Sequence, residues 1–191
     1  SQVAVRETVA RLLGRDPDAL PVAADNCGLL TYEVSLLEMA RGYLMLADPE
    51  GPSVQGDAAT SAPALKRVRE AMTAEPEMVG GTYDNLDTDL MKRRPGKLVA
   101  KAGADGMRAI GLVGGADGEA SGIAIKVEDG DQSRRAIKAA SVEVLAQLGL
   151  LDDRDLRMLA GYHHPTVFTP NGDEAARAVP SFDLISRSQG E

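Results

Sequence analysis

Tryptophan is absent from this chain, phenylalanine occurs twice, and aromatic residues make up 3% of the 191 positions. A hydrophobic core must therefore come from Ala, Leu, Val, Ile and Met, which supply most of the 43% hydrophobic content. Cysteine is just as scarce. Cys27 stands alone, so no internal disulfide can form, and the expectation is a reducing, cytoplasmic compartment. No apolar run approaches the roughly 20 residues of a membrane helix. The opening Ser1-Gln2-Val3-Ala4-Val5-Arg6 has neither the basic start nor the apolar stretch of a secretion signal. The net charge of −8 gains nothing from a phosphate backbone, which argues against nucleic acid as a partner. There is no initiator Met, and the chain starts inside an amphipathic pattern of Val3, Val5, Val9, Leu12 and Leu13. So abrupt a start is expected of a fragment or trimmed product.

At this length a single domain with a real core is the expectation over 1–191, with a helical part over 1–94, a β-meander with helices behind it over 95–160, and an irregular tail over 161–191. The first helix is predicted over about 2–13, with Gly14 suited to end it. Residues 15–34 read as irregular. Ser35 and Glu38 form a capping box before a second helix carrying Leu36, Met39, Ala40 and Tyr43. Residues 48–62 read as an exposed loop, Pro63 opens a third helix reaching about Ala74, and a short helix is expected over about 87–92.

Asp-Gly pairs at 105–106, 117–118 and 129–130 recur every twelve residues. The pair tolerates the positive φ angles that tight hairpins demand. Strand-like runs lie beside them over 97–102, 107–113 and 121–127. In the last, Ile123, Ile125 and Val127 alternate with Ala124 and Lys126. The pattern predicts a three-stranded antiparallel meander. A long amphipathic helix follows over about 132–148, with Ile137, Ala140, Val144 and Leu148 on one face, and another over about 152–160. Helices, then a meander, then helices make an α+β fold with helices packed on one sheet face.

The residues with the most chemical content end the first meander strand: Lys101-Ala102-Gly103. Small neighbours let a substrate approach the strand edge. A desolvated lysine can accept a proton, and an ammonium can stabilise charge on a tetrahedral intermediate. Lys-Thr-Gly on an antiparallel strand, followed by two strands and a helix, occurs in serine β-lactamases and penicillin-binding proteins. Here Ala102 replaces the hydroxyl residue. Other features read as bland: His163-His164 before Pro165 as a surface turn, Cys27 as a small buried residue, Asp87 as a helix N-cap, and Arg134, Arg135 and Lys138 as a solvated face. Lys126 with Glu128 and Asp129 reads as a local charge pair, and the glycine-rich 114–118 stretch lacks the following helix that phosphate binding needs.

Several segments, in order over about 20–150, resemble the rhizobial-type (thermolabile) asparaginases. These are Asp25-Asn26-Cys27-Gly28 with Thr31-Tyr32, Glu75-Pro76-Glu77-Met78-Val79-Gly80-Gly81-Thr82, and Asp87-Thr88-Asp89-Leu90-Met91. Lys101 through Gly106 and Gly122 through Gly130 complete the set. The resemblance implies a β-lactamase-like fold that hydrolyses asparagine to aspartate and ammonia with a serine nucleophile activated by lysines. It places Lys101 in the catalytic role, and Gly80, Gly81, Thr82 and Gly103 at the substrate. It requires no cofactor for catalysis. In some relatives it implies a zinc, with a ligand at the position of Asp87 and with Asp25 and Cys27 nearby.

The family's Ser-x-x-Lys nucleophile motif occurs nowhere in the 191 residues. The expectation is an N-terminally truncated, C-terminal part of the enzyme, inactive alone, whose missing N-terminal half is its partner. Apolar surface left uncovered would also favour homo-oligomers. The rival expectation is a non-catalytic binding or assembly module that keeps the fold, for which Ala102 is the main support. Asparagine and glutamine are not distinguished by these residues.

Overall fold

The computed structural model describes residues 2–114 and 118–185. The chain divides into two compact units, Ser1–Lys101 with Ala109–Ala124, and Ala102–Arg108 with Ile125–Glu191. Among the described residues no helix is long and apolar enough to cross a membrane.

In the first unit, α1 (Gln2–Leu13) ends at Gly14, whose φ of 65° is the left-handed conformation that glycine adopts without penalty. The stretch expected to be irregular holds a hairpin instead. In it β1 (Val22–Ala24) pairs antiparallel with β2 (Leu30–Tyr32), Ala23 opposite Thr31. Three-residue strands fall below what periodicity can reveal. Next, α2 (Leu36–Ala47) starts at the capping box read from sequence, with Ser35 Oγ accepting from the Glu38 N–H and Glu38 reaching back to Ser35. The loop expected after it contains a 3₁₀ turn (Gly56–Ser61) and is partly buried, at Val54, Ala58 and Ser61, which corrects the reading of an exposed segment. Then come α3 (Ala62–Ala74) with Pro63 in its first turn, the unforeseen α4 (Pro76–Gly80), and α5 (Leu86–Arg93).

The meander is present: β3 (Leu98–Ala102), β4 (Met107–Leu112) and β5 (Ser121–Lys126) form one sheet in that order. Val113 N–H donates to Lys97 O, and Gly103 N–H to Met107 O, both at 2.8 Å, so β3 and β4 run antiparallel. Asp105 and Gly106 both take positive φ, 53° and 67°, as an Asp-Gly turn should. Asp117 lies outside the described residues. The third pair differs: Asp129-Gly130 leads into a helix rather than a hairpin. Residues 98–101, 109–112 and 121–124 of the strands belong to the first unit, the remainder to the second.

Helix α2 lies directly on its part of the sheet. A Cβ on Gly122 would stand 1.9 Å from the Ala40 carbonyl oxygen, and one on Gly111 2.3 Å from that of Tyr43. The mixture of helices and small antiparallel sheets is the α+β class expected.

The second unit is built on α6 (Arg135–Gln147), α7 (Asp153–Met158) and α8 (Ala160–His163). Helix α6 starts later than the pattern suggested, because residues 131–134 form a turn with Asp131 and Arg134 at φ 43° and 55°. Asp131 Oδ2 accepts the Ile137 N–H at 2.8 Å, a capping bond made from outside the helix. Its buried face is Ile137, Ala139, Val142, Val144 and Leu145, while Leu148, assigned to that face from sequence, is exposed. The tail read as irregular includes α8 and an antiparallel hairpin of β6 (Thr166–Phe168) and β7 (Glu174–Arg177).

Candidate functional site

Lys101 is the penultimate residue of β3. Leu98, Val99 and Ala100 before it are buried, whereas Lys101 itself is exposed. Gly103 begins the β3–β4 turn, and a Cβ there would come within 3.2 Å of the Met107 side chain.

The Gly80-Gly81-Thr82 loop is held by α5. Asn85 Oδ1 accepts the N–H of Asp87 at 2.9 Å and of Thr88 at 3.4 Å. The Thr88 hydroxyl donates to Gly81 O at 2.8 Å, with Pro76 O at 3.3 Å. Gly80 fits because a Cβ would meet Asn85 Oδ1 at 2.5 Å and Thr88 Oγ1 at 2.6 Å. Lys92 and Glu77 join the ends of the motif by an ion pair. Gly81, at φ 93°, spends its N–H on Glu77 O at 2.9 Å, so that group is already engaged; Thr82 beside it is exposed.

Asn85, not Asp87, is therefore the N-cap of α5, a correction to the sequence reading. Asp87 sits one residue inside the helix, fully buried. Its charge has a visible effect: the Tyr43 phenol is pushed up to about 12, first by burial and then by the negative charge of Asp87. Tyr43 escaped sequence reasoning because it lies more than forty residues upstream, on α2.

Asp25 and Cys27 occupy the β1–β2 turn. Asp25 Oδ1 accepts the N–H of Cys27 at 2.8 Å and of Leu29 at 2.9 Å. Cys27 is exposed, which overturns its reading as a buried residue. With Asp87 fully buried in a helix and Asp25 and Cys27 exposed on a turn, the three do not present a common donor set. Among the described residues, no group of three His, Cys, Asp or Glu side chains gathers in a way that could hold a metal.

The histidine pair is divided: His164 is exposed, as expected of a surface position, whereas His163 ends α8 and is not on the surface. His163 is buried, its Nε2 2.6 Å from Glu143 Oε2, and its ring lies 4.0 Å from that of His164. Burial, then the neighbouring His163, holds His164 below the usual imidazole range. Lys126, expected to pair with Glu128 and Asp129, instead donates to the carbonyls of Asp105 at 2.6 Å and Val127 at 2.7 Å. Lys138 lies 4.9 Å over the Tyr162 ring rather than simply in solvent. A cleft of about 900 Å³ in the first unit is lined by Arg11, Arg15, Glu38, Arg41 and Met45 among others, and by none of the candidate residues above.

The family model described as L-asparaginase II matches residues 1–180. No curated protein matches the chain.

Proposed function

Because the chain belongs to the L-asparaginase II family, we propose that it contributes the sheet-borne part of an active site that hydrolyses the side-chain amide of L-asparagine. The carrying observation is the family match over residues 1–180, within which Lys101 is the penultimate residue of a meander strand, in Lys101-Ala102-Gly103. The nucleophilic serine comes from polypeptide outside these 191 residues, where no Ser-x-x-Lys occurs. Its oxygen attacks the amide carbon, ammonia leaves with a proton, and water then cleaves the acyl ester to release aspartate and regenerate the serine. Lys101 acts once that polypeptide covers it. Exclusion of water then lets its amine take the serine proton or its ammonium stabilise the tetrahedral oxyanion. Gly80, Gly81 and Thr82 contact the substrate, with Thr82 as the exposed polar residue of its loop.

Two assays test this. The purified 191-residue chain should release no ammonia from asparagine, and turnover by it would overturn the external nucleophile. In the longest natural gene product, Lys101→Met should lower kcat by about 10²-fold or more, with an unchanged melting temperature because the side chain is exposed. Retained activity would remove Lys101 from the mechanism. Ala102, in place of a hydroxyl, favours the rival reading of a non-catalytic module, and that reading prevails if the longest product is folded and inert.

A further inference from the structure

A second set of contacts, in the second unit, holds the end of the described chain in an unusual way. The Gln147 side-chain amide at the last residue of α6 donates through Nε2 to Phe182 O at 2.7 Å and accepts through Oε1 from the Leu184 N–H at 2.7 Å. Bonding the carbonyl of one residue and the N–H of the residue two further on is what a neighbouring β-strand does. Here one side chain does it. The same Nε2 donates to Glu143 Oε1 at 2.7 Å, and the other oxygen of Glu143 meets His163 Nε2 at 2.6 Å.

We propose that residues 181–185 are a releasable strap on α6, latched by the Gln147 amide, with Glu143 fixing the polarity of the latch. An ionised carboxylate only accepts hydrogen bonds, so it draws the NH₂ end of the amide toward itself. The oxygen end is thereby left facing the Leu184 N–H. The reversed amide would set its oxygen against both the carboxylate and Phe182 O. The strap is only partly buried, with Phe182, Leu184 and Ile185 40%, 44% and 86% exposed. The preceding main-chain tie among the described bonds is Ala178 N–H to Pro165 O. The approach to the strap, Val179 and Pro180 with Phe182, walls a cavity of about 480 Å³ whose other side is Ala136, Ala139 and Ala140 of α6. Unlatching opens that cavity.

Hydrogen exchange on the full chain reads this at one amide. In the native protein the Leu184 N–H should exchange about tenfold or more slowly than in an unstructured peptide. Gln147→Glu, nearly isosteric, should abolish that protection while the amides in the middle of α6 keep theirs, because position 147 is exposed at the end of the helix. Adding Glu143→Gln to it should restore part of the protection, because an amide at 143 can donate to a carboxylate at 147. A native Leu184 amide exchanging at the unstructured rate, or one unaffected by Gln147→Glu, would overturn the latch. A double variant as unprotected as the single one would overturn the role of Glu143.

Discussion

In the first unit, α2 rests on β4 and β5 backbone to backbone at Gly111 and Gly122. The second unit holds its turns and its tail with side chains: Asp131 caps α6, and Gln147, Glu143 and His163 form a chain of polar bonds to the strap. The difference is one of tolerance. A backbone contact leaves no room for any side chain, whereas a polar side-chain network loses its bonds one at a time.

The largest effect should come from breaking the first kind of contact. Gly122→Ala places a methyl 1.9 Å from the Ala40 carbonyl, which is backbone and cannot step aside. A loss of about 3 kcal/mol or more is expected by chemical denaturation, and a variant of native stability would show that α2 does not rest on β5. Breaking the second kind should cost less. Asp131→Ala removes acceptors for the Ile137 N–H and the Ser133 hydroxyl, and should lower stability by about 1–2 kcal/mol.

Acid sharpens the contrast further. Glu143 is held below the usual carboxylate range, first by Gln147 and then by His163, with a smaller charge contribution from His164 just after α8. A depressed carboxylate contributes stability above its unfolded value near 4.5 that is lost as pH falls through the folded value. The stability difference between the native protein and Glu143→Gln should therefore be present at neutral pH and fade in acid. A difference that does not change with pH would remove the charge from the account. The smallest effect, of opposite sign, belongs to Gly42, also on α2 but with nothing within 4 Å of a Cβ. Gly42→Ala should stabilise by about 0.5–1 kcal/mol, which separates glycines that permit contact from one that merely weakens a helix.

Much of this architecture was legible in the sequence. The Ser35–Glu38 box, Pro63, Gly14 and the Asp105-Gly106 turn are local signals whose bonds lie within a few residues, and each appears where it was read. The β1–β2 and β6–β7 hairpins were missed because three- and four-residue strands carry too few positions to show a period. The N-cap of α5 was misplaced by two residues because Asn85 and Asp87 are both good caps, and only the backbone decides between them.

By itself, the sequence determined the family, the meander and the position of Lys101 near the end of a strand, since these rest on ordered motifs and near-neighbour chemistry. Tertiary structure alone decided that Asp87 is buried within reach of Tyr43, that Cys27 is exposed, and that His163 joins Glu143 across twenty residues. Burial and long-range pairing depend on which surfaces meet, and a one-dimensional pattern does not encode that until the chain has folded.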